Sequence, residues 1–364
     1  MAIIDDADRH EIYLAKLTTQ ILNAHILPSL EQAQRAARMI LLDAESIDSL
    51  KILNLLQKEI GKVATKALLE GWDQATAQLE LLAEYEAGFS AKLTGSSIGA
   101  ALAVPSSKQI QSEINKSIIV LTSGSRVKSG VWAEYVKGSI DAVVQQYNGI
   151  IVTGYQQGRT VGQMSADIKR STEGLLRGQA EALVRTGQSH YANQAREAMA
   201  QANTDVIKHR VFVATFDNRT TLTCRHFAGR SWEINDKAYP RLPLHFGERS
   251  VYVYVNDLAE ISQGSRSAVG GKQAVINPKR KLKYRGKKDA DIFKPGQISA
   301  GQSMDSWMRN QPEWFQDSAL GATRAKLFRD GEIKLDRFAD ATGKPITLDQ
   351  LKELDAKAFD RAGL

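Results

Sequence analysis

The stretch from Arg210 to Val255, RVFVATFDNRTTLTCRHFAGRSWEINDKAYPRLPLHFGERSVYVYV, decides how the rest of the chain is read. It opens on a strand-like run in which Val211, Val213 and Thr215 alternate with Phe212, Ala214 and Phe216, and closes on another, Val251 to Val255. Between the two lies a polar, turn-rich insert holding Cys224, His226 and His245 among Pro, Gly, Asp and Arg. Strand, polar insert and strand form one supersecondary unit. Upstream of it the residues read as helix, and just downstream as basic and irregular.

Helical spacing runs almost unbroken over residues 8–90. Leu14, Leu17, Ile21 and Leu22 share a face ahead of a break expected at Pro28, and 29–42 is a second run. After Ser46, an expected N-cap, apolar residues recur at Ile47, Leu50, Leu53, Leu56, Ile60 and Val63, and then at Ala67, Leu68 and Trp72. That spacing of three and four is one buried helical stripe, predicting three or four long antiparallel helices. His10 and His25 read as surface or half-buried side chains. Small residues between Gly88 and Pro105 predict a linker or a loop-and-short-helix connection between subdomains. Ile114, Ile118 and Leu121 then suggest a helix ended by the Ser-Gly-Ser at 123–125, and Trp132 to Tyr147 another. A further helix is expected from Thr160 or Val161, and a long Ala-rich one over 177–203 with His190 at its middle as a packed or surface side chain. Towards the end, Trp307, Trp314, Phe315 and Phe328 read as core anchors, and Asp349 to Phe359 as a last helix capped by Thr347. The fold class expected is mainly α, with a small central β/loop unit at about 210–255, a basic arm and short C-terminal helices. Four regions follow: a helical 1–105, a central 106–258, a flexible basic arm 259–300 and a helical tail 301–364.

The bulk numbers narrow the function. A chain of 364 residues with 43% hydrophobic and 24% charged residues has ordinary globular composition, which argues against wholesale disorder. One cysteine excludes an intramolecular disulfide and any all-cysteine metal cage. The acidic opening MAIIDDADRHEIYLAKL carries no signal-peptide pattern, and no apolar run approaches the roughly 20 residues of a membrane helix. A soluble protein made inside a cell, with no membrane partner, is expected. The net charge of +7 is concentrated in one block, GGKQAVINPKRKLKYRGKK over 270–288. It holds Lys272, Lys279, Arg280, Lys281, Lys283, Arg285, Lys287 and Lys288 without one acidic residue, and Tyr284 as a stacking candidate. Such a block either stays a solvated loop or contacts nucleic acid through phosphates, without reading sequence.

Within the central insert, Cys224, His226, His245 and Glu248 are the candidate metal ligands, two pairs about twenty residues apart. Thr occupies position 221, so no Cys-x-x-Cys pair forms and a single thiolate remains; neither metal nor cofactor is expected. Cys224 with His245 and Asp217 would offer a thiol-hydrolase triad, but no glycine-built oxyanion site accompanies it. The sequence has no GxxxxGKS or HExxH pattern and no GxSxG elbow between a strand and a helix. No catalytic residue is therefore assigned.

The order Asp217-x-Arg219-Thr220, then Cys224, Gly229, Pro243-x-His245 and Arg249 resembles that of the phage-Mu F-like minor head proteins of tailed bacteriophages. Their pattern runs Asp-x-Arg-Thr-Cys-x-x-Cys, a Gly five residues on, then Pro-Pro-x-His-Pro-x-Cys-Arg-Cys. Arg185-Thr186 on the Ala-rich helix is similar to that family's Arg-Thr-Glu helix, with Gly187 in place of Glu, and LGATRAKLFRDGEIKLDRF looks like the C-terminal region of podophage members. The likeness covers roughly Val131 to Phe338. Thr221, Glu248 and Ser250 stand where the family often has Cys, so a metal-free structural clasp, with Asp217, Arg219 and His245 holding the loops, is the expectation. The resemblance implies a virion head protein assembled in the host cytoplasm. It would sit in several copies at the portal vertex or capsid interior, with portal or capsid proteins and viral double-stranded DNA as partners. An internal virion protein ejected with the genome, a host nucleic-acid-binding protein and a Cys- or metal-dependent hydrolase remain the alternatives.

Overall fold

The computed structural model describes residues 3–123, 126–271 and 293–364. The protein is mainly helical, with small sheets in its central and C-terminal parts. Helix α1 (Ile3–Ile21) and helix α2 (Leu27–Asp43) are joined by a π-helical turn, Leu22–Ile26. The break expected at Pro28 does not occur. Proline lacks an N–H and its ring collides with the carbonyl four residues back. The wider turn, in which the Leu27 N–H reaches the Leu22 carbonyl, absorbs that misfit ahead of it.

Helix α3 (Leu50–Ile98) is the spine, 49 residues long and so roughly 70 Å. Its N-cap is Ser49, whose hydroxyl accepts from the Ile52 N–H at 3.4 Å, and not Ser46, so Ile47 lies ahead of the helix. Of the expected stripe, Leu53, Leu56, Ile60, Ala67, Leu68 and Trp72 are buried, Ile47 and Val63 are half-buried, and Leu50 in the first turn is exposed; Ala64, Leu79 and Leu82 extend the buried face. At Gly71 the π turn comes so close that an added Cβ would lie 2.8 Å from the His25 carbonyl. The linker or loop-and-short-helix connection expected at 88–105 is, as far as Ile98, the end of α3 itself, because Ser, Ala and Gly there let the helix run against its neighbours; the chain turns only at Gly99, with φ +72°.

Helix α4 (Ser107–Lys116) stops at Lys116 and the chain becomes a hairpin, β1 (Ile119–Ser123) with β2 (Arg126–Gly130). A helix through Leu121 was the expectation. The spacing of three between Ile118 and Leu121 mimics a helix, but Ile118 is exposed and Ile119 and Leu121 alternate inward. Helix α5 (Trp132–Gln156) follows as expected. Helix α6 (Val161–Ser171), capped by Thr160, passes through a second π turn, Thr172–Leu176, into α7 (Arg177–Gln201). His190 lies buried within α7, and burial pushes its imidazole down to about 4, so it packs as a neutral ring.

The central sheet has β3 (His209–Val213) between β4 (Ser231–Glu233) and β5 (Val251–Val255), all antiparallel, with Val211 opposite Val253 and Phe212 opposite Tyr252. The outer two strands of the expected unit thus pair directly. Both faces are buried, which is why the β-branched and aromatic residues alternate without a polar side. Val211, Val213, Val251, Val253 and Val255 meet Ile3, Ile4 and Ala7 of α1; Phe212, Tyr252 and Tyr254 join the main core.

The arm expected over 259–300 carries strands at its flanks. β6 (Ser265–Gly271) pairs with β7 (Phe293–Ser299), and Ala268 bridges to Phe216. The basic residues from Lys272 to Lys288 lie outside the described residues. Helices α9 (Met304–Arg309), α10 (Glu313–Leu320) and α11 (Ala322–Arg329) bury Trp307, Phe315 and Phe328 as expected. The last expected helix is split at Asp355 into α12 (Leu348–Leu354), capped by Thr347, and α13 (Ala356–Ala362). The main hydrophobic cluster takes residues from Leu14 through to Ala362, so all four regions of the sequence contribute to it. Among the described residues, no helix is long and apolar enough to cross a membrane.

Candidate functional site

Beyond β3 the chain turns on Asp217. Its Oδ1 accepts from the backbone N–H groups of Arg219 and Thr220, each at 2.9 Å, and from the Thr220 hydroxyl at 2.9 Å. The Thr220 Oγ1 also donates to the Thr215 carbonyl at 2.6 Å, closing the turn. A short acidic side chain folding back on its own backbone is the usual origin of such a turn. The arginine that pairs with Asp217 is Arg249, thirty-two residues on, through Nη1 to Oδ2 at 2.6 Å and Nη2 to Oδ1 at 3.0 Å. Arg219, expected to hold the loops, contributes its backbone N–H to this turn while the residue itself is exposed. Burial by itself would raise the Asp217 carboxyl, but the Arg249 bonds and charge hold it below the ordinary carboxylate range.

Thr221 caps helix α8 (Leu222–Phe227) by accepting from the Cys224 N–H at 3.2 Å. The cap sets Cys224 facing inward, where Sγ lies 3.2 Å from His245 Nε2 and 3.3 Å from Glu248 Oε2. Burial, reinforced by the Glu248 charge, pushes the Cys224 thiol well above its usual range, so it is a neutral S–H. His245 reaches the cluster from the loop after Pro243, which follows a cis Leu242–Pro243 peptide. Its Nδ1 donates to the Phe246 carbonyl at 3.0 Å, and its Nε2 lies 3.3 Å from Glu248 Oε2 and 3.1 Å from Thr221 Oγ1. Glu248 is held in turn by the N–H groups of Arg249 and Ser250, at 2.9 and 2.8 Å. Three of the four candidate donors therefore converge. The fourth, His226, points away, with Nδ1 2.7 Å from the Asp336 carbonyl, and burial lowers its pKa.

Two neighbours lock the unit to the rest of the chain. Arg225 is buried, and burial brings its guanidinium down to about 10. It donates to the Ala319 carbonyl at 2.6 Å and to the Asn218 carbonyl at 3.1 Å, tying α8 to α10. Gly229 follows α8 at φ +79°, a left-handed turn that a Cβ would strain.

Sequence reasoning missed a second polar cluster. His10, expected near the surface, is buried on α1 and bonds Glu86 of α3 at 2.5 Å; Arg196 of α7 reaches Glu86 at 2.7 Å and Glu11 at 3.2 Å. Burial would raise the Glu86 carboxyl, but Arg196 and His10 outweigh it and hold it low. Glu11 goes the other way, pushed up by burial to about 7. The available signal was Glu86 itself, a charge among Leu82, Ala83, Ala87 and Ser90 on the buried stripe. No protein-family model, no curated protein and no solved structure matches this chain.

Proposed function

We propose that this protein is a minor head protein of a tailed bacteriophage, acting in head morphogenesis at the portal vertex or capsid interior and contacting packaged DNA. One observation carries the reading. The two halves of the motif quoted above, twenty to thirty residues apart in sequence, close on each other through the Asp217–Arg249 pair and the Cys224–His245 contact. Positions 221, 248 and 250, where the resemblance expects cysteine, also gather around Cys224: Thr221 caps its helix, Glu248 touches its sulfur, and the Ser250 N–H holds Glu248. The pairing of β3 with β5 brings the two halves together, and within that frame the retained residues meet side chain to side chain, which supports the reading.

The chemistry of this reading is binding. The helices dock to portal or capsid protein, and the basic block from Lys272 to Lys288 neutralises phosphates. A thiol hydrolase is less well supported, because Cys224 is buried and its thiol neutral, whereas a nucleophilic cysteine needs an accessible thiolate. The test is co-expression of the full chain with the portal and major capsid proteins encoded beside its gene. Procapsids purified on a density gradient should retain the chain at a fixed ratio to portal. Normal procapsids that leave it at the top of the gradient would overturn the assignment.

A further inference from the structure

We propose that Cys224, His245 and Glu248 form a binding site for one divalent transition-metal ion, with Zn2+ the best fit, leaving a fourth coordination position towards a small cavity. The proposal stands on the geometry of the three donors and is independent of any role in a phage head.

Consider the distances first. Sγ to Nε2 is 3.2 Å, Sγ to the two Glu248 oxygens 3.4 and 3.3 Å, and Nε2 to Oε2 3.3 Å. Around a tetrahedral Zn2+ with bonds of ~2.3 Å to S and ~2.0–2.1 Å to N and O, ligand atoms lie about 3.3–3.6 Å apart. The triangle of donors therefore already has nearly the edges of one face of a zinc tetrahedron. Thiolate, imidazole and carboxylate are also the ligand types that Zn2+ accepts together.

The tautomer points the same way. The Phe246 carbonyl can only accept, so the 3.0 Å contact places a proton on His245 Nδ1. In the tautomer with that proton alone, Nε2 turns its lone pair onto the sulfur and the carboxylate, all of them electron-rich. A histidine that donates through one nitrogen to a backbone carbonyl and offers the other is the arrangement found at metal ligands. Glu248 is likewise pre-set, its Oε1 accepting from two backbone N–H groups.

The surroundings leave room and balance the charge. A cavity of about 140 Å³ adjoins the cluster, lined in part by Thr221, Phe246 and Arg185. Water from it, or the Thr221 hydroxyl, completes the coordination. On binding, the Cys224 S–H bond breaks, the sulfur forms a bond to the metal, and one proton leaves to solvent. Thiolate and carboxylate then neutralise a divalent ion. Of the arginines lining the cavity, Arg249 is matched by Asp217 and Arg185 by Glu181, while Arg219 is exposed to solvent.

The full-length chain, stripped with a chelator and titrated with Co2+ and then Zn2+, tests this. Cobalt should bind at one equivalent with a thiolate-to-cobalt charge-transfer band. Because the chain has one cysteine, that band identifies Cys224 without any variant. Cobalt uptake by the stripped chain should release about one proton in weakly buffered solution, and zinc should then displace the cobalt and abolish the band without further proton release. Glu248→Gln, which keeps the shape, should weaken zinc at least roughly 100-fold, the upper end of what losing an outer-shell partner costs. Cobalt binding without the charge-transfer band, or zinc affinity unchanged in Glu248→Gln, would place the ion elsewhere and end the proposal. So would the lack of stoichiometric binding.

Discussion

At the scale of single residues, Asp217 and Arg249 show how one pair holds two loops. Asp217 is buried at 6% exposure, and Arg249 is the bidentate partner that bonds both of its oxygens. Removing Arg249 by substitution with Ala leaves a buried carboxylate unmatched. Losing one partner of a fully buried pair costs roughly 3–5 kcal/mol. Here 31% of the Arg249 side chain is exposed, so urea denaturation of Arg249→Ala should show a loss of about 2 kcal/mol, screened in part by solvent. Arg249→Lys should recover only part of it, since an ammonium cannot bond both oxygens in parallel. An equal stability for Lys and Arg would show that charge alone, not the fork, matters. The sequence named Asp217 and Arg249 but did not pair them. Two residues separated, Arg219 lay equally to hand, and only the direction of the chain after the Thr220 turn decides between them.

At the scale of elements, periodicity was a good guide wherever one face of a helix is buried, and a poor one wherever small residues set the contact. The stripe on α3 and the face of α5 were readable from residue spacing. The end of α3 was not, since Ala, Ser and Gly serve both linkers and close helix packing. The hairpin at 119–130 was lost because three apolar residues at helical spacing straddle a helix end. The π turns have no sequence signature beyond the proline that one of them accommodates. Close packing also gives a prediction. Gly187 of α7 sits under Trp132 of α5, and an added Cβ would overlap that ring and come within 2.9 Å of Leu79 on α3. Alanine gains about 1 kcal/mol of helix propensity over glycine, yet overpacking of this kind costs about 1–3 kcal/mol. Gly187→Ala should therefore lower the melting temperature, and a rise would mean that the three helices can move apart at no cost. Glu at that position, as the resemblance would have it, does not fit beneath this tryptophan.

At the scale of the whole molecule, charge buried between α1, α3 and α7 makes stability depend on pH. Burial pushes Glu11 from its ordinary 4.5 up to about 7, and Asp8, beside Arg266 of β6, from 3.8 up to about 6. Between those ordinary values and the raised ones the folded chain keeps protons that the unfolded chain has released. These two groups therefore make stability fall as pH rises from 4.5 towards 7. Melting temperatures across that window should fall more steeply for the wild type than for Glu11→Gln; parallel curves would show that Glu11 ionises in the fold as it does in water. None of this was legible beforehand, because the partners come from elements 76 to 258 residues apart. The basic block, in contrast, was legible only from sequence. If it meets DNA, replacing Lys279, Arg280, Lys281 and Lys283 with Gln should reduce the salt dependence of duplex binding by about 3–4 logarithmic units per decade. An unchanged slope in fluorescence anisotropy would remove those residues from the interface.

The valine face of the central sheet has a consequence for the order of events during synthesis. Ile3, Ile4 and Ala7 of α1 lie against Val251, Val253 and Val255, strand residues made almost 250 positions later. A ribosome adding about 5–20 residues per second needs on the order of ten to fifty seconds to cover that gap. Throughout that interval the first turns of α1 have no sheet on which to bury their isoleucines. Helix α1 is thus seated late, and its isoleucines are covered only once β5 has been made and has paired with β3.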